Sequence, residues 1–228
     1  MTTQSVSQPA VAAAPPAVRE GRGWAVAGIV GALVALVVVF GLSVQLTNDH
    51  SELWKDNHQL IPAIADNKHF VWLFQASTSL SALLVMLFGA GLRRRLERAE
   101  PAGSLIPGLA FAGILLVAAL LLVGGGMSTE LYWGLAKHDE ADPDTVAASL
   151  GIYNTMAWVW AGAGLSAGAV AVAGFRRRTV GRGLAAFSAL MAALLALVQL
   201  TPVQYMALLP GALWVLGTGA AFALSKHR

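Results

Sequence analysis

LIPGLAFAGILLVAALLLVGGGM, residues Leu105–Met127, contains no Asp, Glu, Lys or Arg in 23 residues. Wound as an α-helix at about 1.5 Å per residue it is about 35 Å long, enough to cross a hydrocarbon core of about 30 Å. A helix on a water-soluble domain needs one polar face, and this stretch has none. Its charges stand outside it: Arg93, Arg94, Arg95 and Arg98 come before, and Glu130 comes after.

Five further runs read the same way: Trp24–Leu46, Phe70–Leu92, Gly151–Phe175, Gly183–Thr201 and Tyr205–Leu224. Each is long enough to cross a bilayer. Pro202 divides the last two, because it lacks a backbone donor and disfavours helix at Thr201, so a hairpin is expected there and not one long helix. The whole chain of 228 residues is 57% hydrophobic and only 12% charged, with mean hydropathy +0.65. An ordinary soluble domain carries about 25% charged residues. The expected fold class is therefore all-α, a bundle of six transmembrane helices. Residues 24–225 are read as one membrane domain and residues 1–23 as a disordered cytoplasmic tail, since residues 1–18 are Ser, Thr, Gln, Ala, Val and Pro-rich and uncharged. The first run is too long for a signal-peptide core and lacks a positive leader, so it is read as a retained helix.

The gaps between the runs alternate in sign. Arg19, Arg22, Arg93, Arg94, Arg95, Arg98, Arg176, Arg177, Arg178, Arg182, Lys226 and Arg228 fall on one side. Only Lys55, Lys68 and Lys137 fall on the other, together with nine of the twelve acids. Positive charge in short loops marks the cytoplasmic face. Both termini are thus expected in the cytoplasm, and loops 47–69 and 128–150 outside. The pI of about 9.6 reflects these membrane flanks and gives no reason to expect nucleic acid. The absence of cysteine excludes disulfides, thiolate metal sites, lipidated cysteines and cysteine nucleophiles.

The two outer loops hold the candidate chemistry. Ser51-Glu52-Leu53-Trp54 and Thr129-Glu130-Leu131-Tyr132-Trp133 share a short pattern, suggesting two related halves. Asp142-Pro143-Asp144-Thr145 reads as a helix start: Asp at the cap, Pro first inside, acid in the first turn. A helix from Pro143 to Phe175 would be about 50 Å long, so it either stands out of the membrane or breaks near Gly151. Asp66 is a candidate cap for the second span. His50, His58, His69 and His138, with neighbouring carboxylates, are candidate ligands for a divalent metal. No cofactor motif is present, and a solvated acidic face is the simpler reading of these loops.

Within the spans, polar residues gather toward the outer end: Gln45, Gln75, Asn154 and Gln199, with Ser and Thr around them. They are read as interhelical hydrogen bonds or as an outward-facing ligand pocket. No Asp, Glu, His or Lys lies inside a span, where proton-coupled and ion-coupled machinery usually keeps one. No His-Glu-x-x-His, Gly-x-Ser-x-Gly or phosphate-loop motif occurs. Small residues at Gly28, Gly31, Gly162, Gly164 and Gly168 allow close helix packing within one chain or in a homo-oligomer, and Gly124-Gly125-Gly126 reads as a flexible break.

Arg93-Arg94-Arg95-Leu96-Glu97, Asp142-Pro143 ahead of Val146-Ala147, Asn154-x-x-x-Trp158 and the compact final hairpin together resemble uncharacterised six-span integral membrane proteins of high-GC bacteria. The resemblance implies the fold and a bacterial cytoplasmic membrane, and no known activity. The expected partners are the lipid bilayer and a membrane protein partner or second copy of the chain. The expected function is non-enzymatic: an interaction or ligand-sensing protein using its outer loops. A small transporter or channel component using Gln45, Gln75, Asn154 and Gln199 is the first alternative. A membrane enzyme using Glu52 and Glu130 is the second.

Overall fold

A computed structural model describes residues 21–39, 41, 42, 46 and 48–225 of the 228. Residues 1–20 of the expected tail, 1–23, and the polar candidate Gln45 lie outside the described residues. The described chain is all-helical, with no strand. Its α-helices are α1 Gly23–Val34, α2 Asn57–Ile64, α3 Lys68–Glu97, α4 Ile106–Ala136, α5 Pro143–Thr155, α6 Ala163–Val172, α7 Arg182–Gln199 and α8 Leu208–Leu224. Short π and 3-10 segments join several of them into longer rods.

Five rods are long and apolar enough to cross a membrane: Asn57–Glu97, Ile106–Ala136, Pro143–Arg177, Arg182–Gln199 and Gln204–Leu224. The chain is built as a multi-pass membrane protein. The first apolar run is described as a shorter helix, Gly23–Val37.

The rods are unequal. Asn57–Glu97 has 41 residues, Pro143–Arg177 has 35 and Ile106–Ala136 has 31, about 61, 52 and 46 Å against a core of about 30 Å. The final two have 18 and 21 residues and match that core. Three rods therefore overrun the apolar layer and the hairpin does not.

The sequence expectation of a loop up to His69 is corrected here. Asp56 caps α2, accepting a hydrogen bond from the His58 amide at 3.0 Å. Leu60, Ile61 and Ile64 then bury one face of the new helix. Asp66 is no cap: it sits inside the 3-10 turn Ala65–Asn67 that joins α2 to α3. The rod from Pro143 does not break at Gly151. It tightens into a 3-10 segment at Met156–Gly162 and continues.

Glycine sets the helix spacing. Gly124-Gly125-Gly126 is not a break, because α4 runs through it. Gly124 is instead closed over by the Met156 thioether, and Gly126 faces open space. A Cβ on Gly113 would come 2.5 Å from the Gly162 carbonyl oxygen, so α4 and α6 meet backbone to backbone. Gly164 meets Leu195 of α7, an intramolecular use, whereas Gly168 meets nothing.

Hydroxyls bridge the same contacts. Ser81 Oγ donates to Gly31 O at 3.0 Å, and Ser166 Oγ to Ala110 O at 2.7 Å. Trp214 Nε1 donates to Ser188 Oγ at 3.0 Å. α1 packs on α3 and α8, α3 on α4, α4 on α5 and α6, and α6 on α7 and α8. Phe88 and Trp214 meet edge to face at 6.1 Å, and both are fully buried.

The two ends of the bundle differ. Arg22 donates to Ala223 O at 2.9 Å and to Ser225 O at 2.7 Å, so the described chain begins and ends at the same end. There it neutralises carbonyls that α8 leaves without intrahelical donors. Arg93–Arg98 and Arg176–Arg182 share that end. Glu52, Asp56 and Asp66, with Glu130, Asp139, Glu140, Asp142 and Asp144, lie at the other. Arg178 closes the third long rod in the left-handed region, φ 57°, which disfavours any residue but glycine by about 1 kcal/mol.

Candidate functional site at the acidic end

The overrunning rods bring both acidic segments into one lobe. Asn57 Nδ2, one residue inside α2, donates to Asp144 Oδ1 at 2.8 Å across 87 residues of sequence. α2 also packs directly on α5. At the far end of α4, Lys137 closes a tight turn, its carbonyl accepting from the Glu140 amide at 2.9 Å and the Ala141 amide at 3.0 Å. Asp142 then starts α5 as the sequence predicts. Its carboxylate accepts from the Thr145 amide at 2.9 Å and the Thr145 hydroxyl at 2.7 Å.

These two bonds hold the Asp142 carboxyl below its ordinary value of 3.8, chiefly through the Thr145 hydroxyl and amide, with a smaller pull from His58 across the lobe. The folded pKa is lowered, so the cap is complete above the ordinary value. It is lost as pH falls through the lower folded value. Protection from hydrogen exchange over Asp144–Val146, taken relative to the intrinsic amide rate at each pH, should fall on acidification below that range. Asp142→Ala should lower protection there at neutral pH and remove its further loss in acid; unchanged protection would contradict the cap.

Between α4 and α5 lies an open cleft of about 410 Å³ lined by Glu130, Trp133, Lys137, Glu140, Asp142 and Thr145, among others. Val146 packs against Gly134 at its floor, where an added Cβ would lie 2.8 Å from the valine. Trp133 is 56% exposed and offers a ring face. The cleft thus combines carboxylates, hydroxyls, one ammonium and an aromatic wall, a set suited to polar or cationic groups.

Of the sequence candidates, Glu130 lines this cleft, while Glu52 is exposed on the 3-10 segment Asn48–Lys55 and is not among the lining residues. The His50 side chain lies outside the described residues. His58 and His69 are exposed, and His69 Nδ1 lies 3.2 Å from the Asp66 carbonyl. His138 is half-buried, with Nδ1 at 3.2 Å from Leu135 O and Nε2 at 3.3 Å from Asp139 Oδ1. Among the described residues no three His, Asp or Glu side chains converge as metal ligands.

Gln75, Asn154 and Gln199 are each half-buried. No hydrogen bond joins their side chains to one another among the described residues. The Gln199 amide nitrogen is buried without a partner, and its backbone carbonyl accepts from Gln204 Nε2 at 3.2 Å. Gln204 and Tyr205 form, with Thr155, Trp158 and Pro202, a separate cleft of about 360 Å³ beside the hairpin turn.

Sequence reasoning missed Asn57 as the tie between the loops. An asparagine after a capping aspartate reads as an ordinary first-turn residue, and nothing local marks a partner 87 residues away. Comparison with protein-family models, curated proteins and solved structures found no match to the chain.

Proposed function

We propose that this chain is a six-span protein of a bacterial cytoplasmic membrane, with both termini in the cytoplasm, that acts without catalysis as an interaction or ligand-sensing protein through its acidic outer lobe. The observation that carries the reading is the Asn57–Asp144 bond. It makes two separate loops one surface, held beyond the apolar layer on three overlong helices. A surface of this charge suits a partner that presents basic groups. The Arg22–Ser225 contact supports an even number of crossings, and the arginine bias supports the direction.

The transport reading rests on Gln45, Gln75, Asn154 and Gln199, whose described members share no hydrogen bond. The enzyme reading rests on Glu52 and Glu130; Glu130 lines the cleft between α4 and α5 and Glu52 does not. Neither gains support from the geometry.

The absence of cysteine makes the topology directly measurable. Single Glu52→Cys and Asp139→Cys variants in intact cells should react with a membrane-impermeant maleimide. Ala102→Cys and Gly183→Cys should react only after lysis. The opposite labelling would reverse the orientation. For the lobe itself, a photo-crosslinking residue at Trp133 should capture one partner in stoichiometric yield, and the same group at lipid-facing Leu122 should not. Equal capture at both positions would defeat the interaction reading.

A further inference from the structure

The arginine end carries a feature separate from the acidic lobe. Glu100, in the turn between α3 and α4, is only 8% exposed. Its carboxylate accepts from Ser104 Oγ at 3.0 Å and from Thr179 Oγ1 at 2.7 Å. Thr179 follows Arg176, Arg177 and Arg178 and lies 79 residues along the chain. This half-buried hydrogen bond joins the turn after α3 to the turn after the third rod. It ties the segment that carries Arg94, Arg95 and Arg98 to the segment that carries Arg176, Arg177, Arg178 and Arg182.

The combined patch holds eight arginines against two glutamates, Glu97 and Glu100. All eight are exposed. Arg93 is held by Glu97 at 2.7 Å and stacks over Phe111 at 5.6 Å. Glu100 directs its oxygens to hydroxyls, so it links the two clusters through neutral partners. Arg178 keeps a left-handed backbone beside the link, a strain of the kind that surrounding function sustains. Glu100 also lines a cleft of about 430 Å³ with Glu97, Arg93, Ser104 and the exposed apolar Leu105 and Leu109; of the eight arginines only Arg93 lines it. Leu105 is 77% exposed. Apolar rim and guanidinium groups thus adjoin at one bundle end, where lipid headgroups would meet the chain.

We propose that the Glu100–Thr179 link builds one composite site from two arginine clusters, and that its occupant is an anionic phospholipid whose headgroup carries two phosphates. Arginine forks bind phosphate oxygens in pairs. A single-phosphate lipid engages one cluster at a time and gains nothing from their being joined. A diphosphate headgroup spans both, and its acyl chains lie along Leu105 and Leu109. Basic pockets at helix ends suit such headgroups. The proposal rests on the membrane reading and not on any role for the acidic lobe, so cysteine labelling and lipid binding fail independently.

The test uses purified full-length protein in detergent, titrated with tetraoleoyl cardiolipin or with dioleoyl phosphatidylglycerol at equal total phosphate. Bound lipid is counted by native mass spectrometry, and the unfolding temperature is followed by tryptophan fluorescence. Wild type should saturate at about threefold or more lower total phosphate with cardiolipin than with phosphatidylglycerol. Thr179→Val, which keeps every arginine, should lose that preference while still binding phosphatidylglycerol, and Thr179→Ser should keep it. Should Thr179→Val fail to fold, the pair Arg177→Gln and Arg178→Gln, which leaves the link intact, carries the same expectation. Equal binding of the two lipids by wild type would overturn the proposal, as would an undiminished preference in the folded variants. Displacement of cardiolipin by stoichiometric inositol hexakisphosphate would also overturn it, making the site one for soluble polyphosphate. Displacement by polyglutamate would overturn it in favour of an acidic protein.

Discussion

Gly113→Val is expected to lose more than about 3 kcal/mol of stability, whereas Gly126→Ala, further along the same helix, is expected to be neutral. The two glycines look alike in sequence: both lie in one uncharged apolar run. Their surroundings are opposite. A Cβ on Gly113 would come 2.5 Å from the Gly162 carbonyl oxygen and 2.8 Å from the Ser166 nitrogen, both backbone atoms of the facing rod. No side-chain rotation can relieve that overlap, so the helices must separate. Separation also breaks the 2.7 Å bond from Ser166 Oγ to Ala110 O, worth about 0.6 kcal/mol in a membrane bundle. Overpacking in a closed core is destabilising by about 1–3 kcal/mol, and more where only backbone can move. Together these are expected to exceed about 3 kcal/mol. Around Gly126 nothing lies within 4 Å, and alanine restores helix propensity there. The check is unfolding in mixed micelles of increasing dodecyl sulfate fraction. A Gly113→Val loss below about 1 kcal/mol, the lower bound for overpacking, would mean that α4 and α6 do not meet as described.

That contrast shows what was legible in the chain and what was not. Uncharged runs, arginine flanks and Pro202 each act through local physics: burial of apolar surface, headgroup attraction and a missing amide. They point to a multi-pass helical protein before any contact is known. The Asp142 cap was legible for the same reason, since cap and receiving amide are three residues apart. The length of the second rod was not. Residues Asn57–Ile64 carry histidine, glutamine and a proline, and Pro62 argues against helix. Tertiary burial of Leu60, Ile61 and Ile64 overrides that local preference. Partner choice among glycines was equally hidden, because Gly113 and Gly126 differ only in what faces them. The candidate site divides along the same line. Glu130 and Asp142 were found by residue type, but the Asn57–Asp144 and Glu100–Thr179 links join segments 87 and 79 residues apart, and no local pattern encodes them.

Trp214→Ala should be about as damaging, by emptying the centre and not by overfilling it. Trp214 is fully buried and meets Phe88 of α3 edge to face at 6.1 Å, 81° between planes. Its Nε1 donates to Ser188 Oγ of α7 at 3.0 Å. One side chain of α8 therefore touches two other helices, by dispersion on one side and a hydrogen bond on the other. Which interaction dominates follows from magnitudes. Truncating a buried tryptophan to alanine costs about 3–5 kcal/mol where the cavity cannot collapse. The hydrogen bond contributes about 0.6 kcal/mol, and at most about 1.7. Trp214→Phe keeps most of the ring volume and loses the donor, so it is expected to lose about 1 kcal/mol. Ser188→Ala leaves the indole N–H buried without a partner and should lose a similar amount. In a double-mutant cycle of Trp214→Phe with Ser188→Ala, the coupling should be about 0.6–1 kcal/mol. The same micelle unfolding series measures every variant. Equal losses for the alanine and phenylalanine variants would mean that the hydrogen bond outweighs the ring packing. A bundle held that way would be polar at its centre, contrary to the packing of Phe88 against Trp214. A large gap between the two variants places the stability in ring volume.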